Sequence, residues 1–73
     1  MSTDTKSACI RIVAECIANA RGMRRGIPPI TNILDLLPDK LRAEVMDDAD
    51  MAVSGLLAMG YTITGPAAEE AEQ

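Results

Sequence analysis

The chain has no histidine, no tryptophan and no phenylalanine, and its single aromatic side chain is Tyr61. Without histidine there is no imidazole general base and no Ser-His-Asp type of triad. With no histidine and only two cysteines, a Cys/His zinc site within one chain is excluded. One aromatic cannot build a stacking platform for single-stranded nucleic acid. No apolar run approaches the ~18 residues that a membrane span needs. The start, Met1-Ser2-Thr3-Asp4-Thr5-Lys6, is polar and lacks the apolar stretch of a signal peptide. The expected compartment is the cytoplasm, where thiols stay reduced.

What remains is a chain of 73 residues that is 48% apolar, too apolar for a disordered acidic tail. Its core must be built from Leu, Ile, Val, Met and Ala. A single core in a chain this short supplies only ~3–5 kcal/mol. Such a domain gains from a partner, most simply a second copy of itself. Cys9 and Cys16 are expected to be small buried apolar side chains. On one helix they stand two turns and ~10.5 Å apart by rise, beyond disulfide reach.

The net charge of −4 hides a division. Residues 1–34 hold Lys6, Arg11, Arg21, Arg24 and Arg25 against Asp4 and Glu15, net +3. Residues 35–73 hold Lys40 and Arg42 against Asp35, Asp39, Glu44, Asp47, Asp48, Asp50, Glu69, Glu70 and Glu72, net −7. Basic and acidic halves favour packing on each other, within one chain or between chains.

The periodicity predicts two long helices. The first runs from about Thr3–Lys6 to Arg21–Met23, with Thr3, Asp4, Thr5 and Ser7 as candidate caps. At 3.6 residues per turn, Cys9, Val13, Cys16, Ala20 and Met23 share one apolar face, with Ile10, Ile12 and Ile17 beside it. Arg11, Glu15, Ala18 and Gly22 fall on the opposite side. Gly22 and Gly26 punctuate the helix end, and Pro28-Pro29 forces an extended turn. Thr31 or Asn32 can cap a short helix at Ile33–Leu37. Pro38 and Asp39 open the second long helix, which ends near Met59, with Gly60 as its stop.

The apolar arc of that second helix spans ~160°, wider than one packing stripe. One flank (Leu41, Val45, Ala49, Ala52, Leu56) is expected to pack on Ile10, Val13, Cys16, Ile17 and Ala20 of the first. The other flank (Met46, Val53, Leu57) is offered to another chain, unless the short helix covers it. The fold class is thus all-α: a hairpin of two long antiparallel helices with a short intervening helix, in a dimer or higher oligomer. Residues 1–5 read as a flexible N-terminus, 6–64 as a single helical domain and 65–73 as a flexible acidic tail. Tyr61-Thr62-Ile63-Thr64 alternates and suits an extended segment, with strand pairing left open.

Three features carry the functional reading. Arg21, Arg24 and Arg25 cluster beside two glycines; arginine forks suit phosphate or carboxylate. The same cations also suit the negative end of a helix dipole. Glu44, Asp47, Asp48 and Asp50 form an acidic run. It is a solvated helix face or a partner-binding one, and it lacks the spacing of a calcium loop. Met23, Met46, Met51, Leu57 and Met59 form an adaptable apolar set, as core or as a surface for another protein. Ser54 has no base beside it. The candidate partner or anion site is Arg21, Arg24 and Arg25, and the candidate interface is Met46, Asp47, Asp50, Val53 and Leu57. No catalytic residue, metal or cofactor is assigned.

A longer pattern joins these pieces. Ile12-Val13-Ala14-Glu15-Cys16-Ile17-Ala18-Asn19-Ala20-Arg21 leads into the proline loop. Then follow Leu36-Leu37-Pro38-Asp39-Lys40-Leu41-Arg42, Asp48-Ala49-Asp50-Met51-Ala52 and Leu56-Leu57-Ala58-Met59-Gly60-Tyr61. This resembles short helical accessory proteins of bacteriophages and prophages, over roughly residues 8–64. Those proteins often carry a tryptophan ahead of the Leu-Pro turn, where Asn32 and Ile33 stand here. The resemblance implies no catalytic residues. It implies an intracellular role in infection: binding and inhibiting a host protein or a defence component, such as a CRISPR effector or a host regulator. Two other readings are an oligomer that sequesters an anionic signalling nucleotide through its arginines, and a small DNA-binding regulator. Net −4 and the lack of a clear recognition helix disfavour the last.

Overall fold

A computed structural model of the chain describes residues 3–64. Helix α1 spans Thr3–Met23 and helix α2 spans Asp39–Ala58, joined by a turn, an extended stretch and a 3-10 turn at Ile33–Leu36. The two helices pack on each other and the 3-10 turn packs on α1. The described residues contain no strand, and Tyr61–Thr64 pairs with nothing as one. α1 begins at Thr3, inside the stretch assigned to the N-terminal tail. The acidic tail at 65–73 lies outside the described residues.

Local chemistry explains each boundary. Asp4 sits in the first turn of α1 and Arg21 in the last, each opposing the dipole charge at its end. α1 closes in a Schellman motif: Ile27 N–H donates to the Gly22 carbonyl at 3.0 Å and Gly26 N–H to that of Met23 at 3.0 Å. Gly26 takes the required positive φ of 83°. α2 ends the same way, with Tyr61 N–H on the Leu56 carbonyl and Gly60 N–H on that of Leu57. Gly60 has φ 93°. Asn32 precedes the 3-10 turn but its side chain makes no capping bond. Its contribution is conformational: it sits in the left-handed region at φ 56°, which Asn tolerates better than most residues.

The core is small and wholly apolar. Ala14, Ala18, Ile33, Leu34, Val45, Ala49 and Val53 are buried, and among the described residues no buried one is polar or charged. Ile10, Val13, Ile17, Ile30, Leu37 and Met46 pack around it, half-buried. This corrects the expected helix faces. Cys16, Ala20, Leu41, Ala52 and Leu56 were placed in the seam and are exposed, and Cys9 is half-buried. Ala18 was placed on the polar side and is buried. α1 is turned by about a quarter of a rotation. Alanines, not cysteines, face the crossing, because side chains that end at Cβ let two backbones approach closely.

α2 is turned too. Val53 is 1% exposed and Met46 packs on the core, so the flank reserved for another chain faces this chain's own interior. Met46 packs against the core cluster that includes Ile33 and Leu34 of the short helix, and Leu57 is half-buried.

Candidate binding cleft

The rotation leaves an apolar cleft of about 300 Å³ where the end of α1, the connecting loop, the 3-10 turn and the start of α2 meet. α1 gives Ala18, Arg21 and Gly22; the loop gives Arg25, Ile27 and Ile30. Ile33, Leu36, Leu37, Leu41 and Val45 complete it. Ile27, Leu36 and Leu41 are exposed, with Leu36 at 69%. The volume stands at the lower end of the ~300–1,000 Å³ of small-molecule sites. Its lining is aliphatic apart from two guanidinium groups.

Three devices hold its walls. The Schellman turn at Gly26 reverses the chain and carries Arg25 and Ile27 back beside α1. The Asn19 side chain then pairs with the backbone of Ile30: its Oδ1 accepts from Ile30 N–H at 2.9 Å and its Nδ2 donates to the Ile30 carbonyl at 3.2 Å. Arg42 fixes the far wall. Its Nε donates to the Leu34 carbonyl at 2.9 Å, Nη2 to the Leu37 carbonyl at 2.8 Å, and Nη1 to Asp39 Oδ1 at 3.0 Å. One planar fork thus satisfies two carbonyls at the end of the 3-10 turn.

The arginine cluster divides. Arg21 and Arg25 line the cleft, whereas exposed Arg24 does not. Arg21 is engaged by Asp48, Nη2 to Oδ2 at 2.9 Å, which ties α1 to α2. Arg11 ties α1 to Asp35 of the 3-10 turn at 3.3 Å. Among the described residues, neither Arg24 nor Arg25 has a carboxylate partner. The expected interface set also divides. Val53 is buried, Met46 and Leu57 are half-buried, and Asp47 and Asp50 are exposed, with Asp50 accepting from Ser54 Oγ at 2.9 Å. None of these five lines the cleft.

A second, more open hollow lies among Ile12, Glu15, Cys16, Asn19, Pro29, Ile30, Thr31 and Asn32. Glu15 Oε2 is buried there without a hydrogen-bond partner, 3.9 Å from Arg11 Nη2. Among the described residues no group of three or more His, Cys, Asp or Glu side chains could hold a metal ion. No helix among them is long and apolar enough to cross a membrane.

Sequence reasoning picked out the arginines but missed Asn19 and Arg42. A faint signal existed for Arg42, a cation in the first turn of a helix, where the dipole disfavours it. Comparison with known proteins adds nothing to this geometry: no protein-family model, curated protein or solved structure matches the chain.

Proposed function

We propose that the protein is a non-enzymatic binding protein and that the cleft between α1, the 3-10 turn and α2 is its working surface. The observation that carries this reading is the pairing of an aliphatic hollow with two arginines at its edge, one of them without a carboxylate partner among the described residues. Such a surface suits a protein segment that presents a large apolar side chain next to a carboxylate. The apolar contact supplies affinity and the charge pair fixes orientation. The resemblance to phage accessory proteins points to a host or defence protein as the source of that segment. Inhibition then follows by occlusion, since a domain seated on a functional surface blocks it.

The test is a pull-down of the tagged chain from native bacterial host lysate beside Arg25→Glu and Leu36→Asp, with eluates read by mass spectrometry. The expected result is one stoichiometric protein, lost in both variants. Its retention in both would rule out the cleft as the binding surface.

Arg24 and Arg25, without a carboxylate partner among the described residues, favour one second reading, capture of an anionic signalling nucleotide. The same eluates decide it: a nucleotide released on denaturation, with no protein partner, would replace occlusion by capture.

A further inference from the structure

The cleft has a counterpart on the same chain. Met51 stands on the outward side of α2 and is 76% exposed. Asp47 and Glu44 precede it by one and two turns on the same helical face. Both acids are exposed, and neither has an ion pair among the described residues. α2 therefore presents a flexible apolar side chain with negative charge around it. The cleft presents an apolar hollow with positive charge around it, from Arg25 on its wall and Arg24 next in the chain. Methionine fits such hollows because its unbranched thioether adapts to irregular walls.

We propose that Met51 of one copy seats in the cleft of a second copy, with Asp47 and Glu44 facing Arg24 and Arg25. A chain cannot fill its own cleft this way. Met51 is ~80–120° round α2 from Leu41 and Val45, which line it. Because donor and acceptor patches are different surfaces, the contact is heterologous and repeats head to tail, closing into a ring or growing as a filament. The acidic tail at 65–73 is a weaker occupant by composition: it offers carboxylates but no large apolar side chain. This inference shares the cleft with the proposed function but needs no other protein, so the two fail separately.

The experiment is analytical ultracentrifugation of the full chain over a concentration series at low and high salt. Its companions are Arg25→Glu and Met51→Lys, both at exposed positions and both checked for helicity by circular dichroism. Wild type should associate, and less so at high salt. Each variant alone should associate at least tenfold more weakly. Mixed in equal amounts, the two should form a one-to-one dimer and stop. The Arg25→Glu copy keeps its Met51 face, the Met51→Lys copy keeps its cleft, and only one productive contact remains. A wild type that stays monomeric throughout would overturn the proposal. Association unaffected by either change would overturn it in favour of another face. Loss with Arg25→Glu but not with Met51→Lys would overturn it in favour of the tail.

Discussion

At the residue scale, two glycines at the end of α1 face opposite demands. Gly22 lies inside the helix with ordinary φ, and a Cβ there would meet Ile27 Cβ at 3.6 Å, a normal contact. Gly26 is held at φ 83°, where any Cβ is strained although space is free. Gly22→Ala should therefore stabilise by ~0.5–1 kcal/mol. Gly26→Ala should destabilise by ~1–2 kcal/mol. Urea unfolding of the two variants should give midpoints displaced to opposite sides of wild type. Arg42 offers a second contrast at this scale. Lysine keeps the charge but cannot reach the Leu34 and Leu37 carbonyls in one planar fork. Arg42→Lys should cost ~1.5–3 kcal/mol. Asp39→Asn should cost almost nothing, because that carboxylate is exposed and a surface ion pair contributes ~0–1 kcal/mol. Equal losses in the two would mean that charge, not geometry, holds the 3-10 turn.

At the element scale, the helices and their ends were legible and their facing was not. Pro28-Pro29, Gly26, Asn32, Pro38 and Gly60 are local signals, so the elements and their boundaries follow from backbone chemistry alone. Which side of α1 turns inward is not local. Ile10, Ile12, Val13, Ile17, Cys9 and Cys16 spread apolar character around most of that helix, and hydropathy favours the wrong arc. What decides is the closeness of the α1–α2 approach, which selects Ala14 at 0% exposure over Cys16 and Ile12. The cleft was half legible for the same reason. Charge clustering gave Arg21 and Arg25, whereas Ile27, Ile30 and Leu36 enter it only through the fold of the loop. The seam assignment has a direct test. Ala14→Leu inserts volume into a packed crossing and should cost ~1–3 kcal/mol. Cys16→Leu, on the exposed arc, should change stability by less than ~0.5 kcal/mol. Thermal unfolding of the pair reads both, and the reverse order would restore the cysteine-faced seam.

At the scale of the whole molecule, the described residues include seven buried apolar side chains and nine large apolar ones that stay exposed. Leu34, Val45 and Val53 are the largest fully buried ones. A core of ~3–5 kcal/mol cannot absorb the ~2–5 kcal/mol of a buried Leu→Ala change, so Leu34→Ala should be largely unfolded at 25 °C by circular dichroism. Meanwhile Ile12, Leu36, Leu41, Met51, Leu56 and Met59 stay in water. These two facts are linked by mass action. Anything that binds the folded cleft and not the unfolded chain adds stability, ~2.7 kcal/mol at a free concentration one hundred times its dissociation constant. Against so small a core that addition is comparable with the whole. Head-to-tail seating of Met51 therefore makes the melting temperature a function of protein concentration. In a domain of this size each kcal/mol moves it by ~4–8 °C. Raising the concentration a hundredfold across the association midpoint adds ~1.4 kcal/mol and should lift the wild-type melting temperature by roughly 5–10 °C. Arg25→Glu should shift far less over the same range. A wild-type melting temperature that does not move with concentration would mean that the small core stands alone and that the exposed methionine and the arginine-edged cleft do not meet.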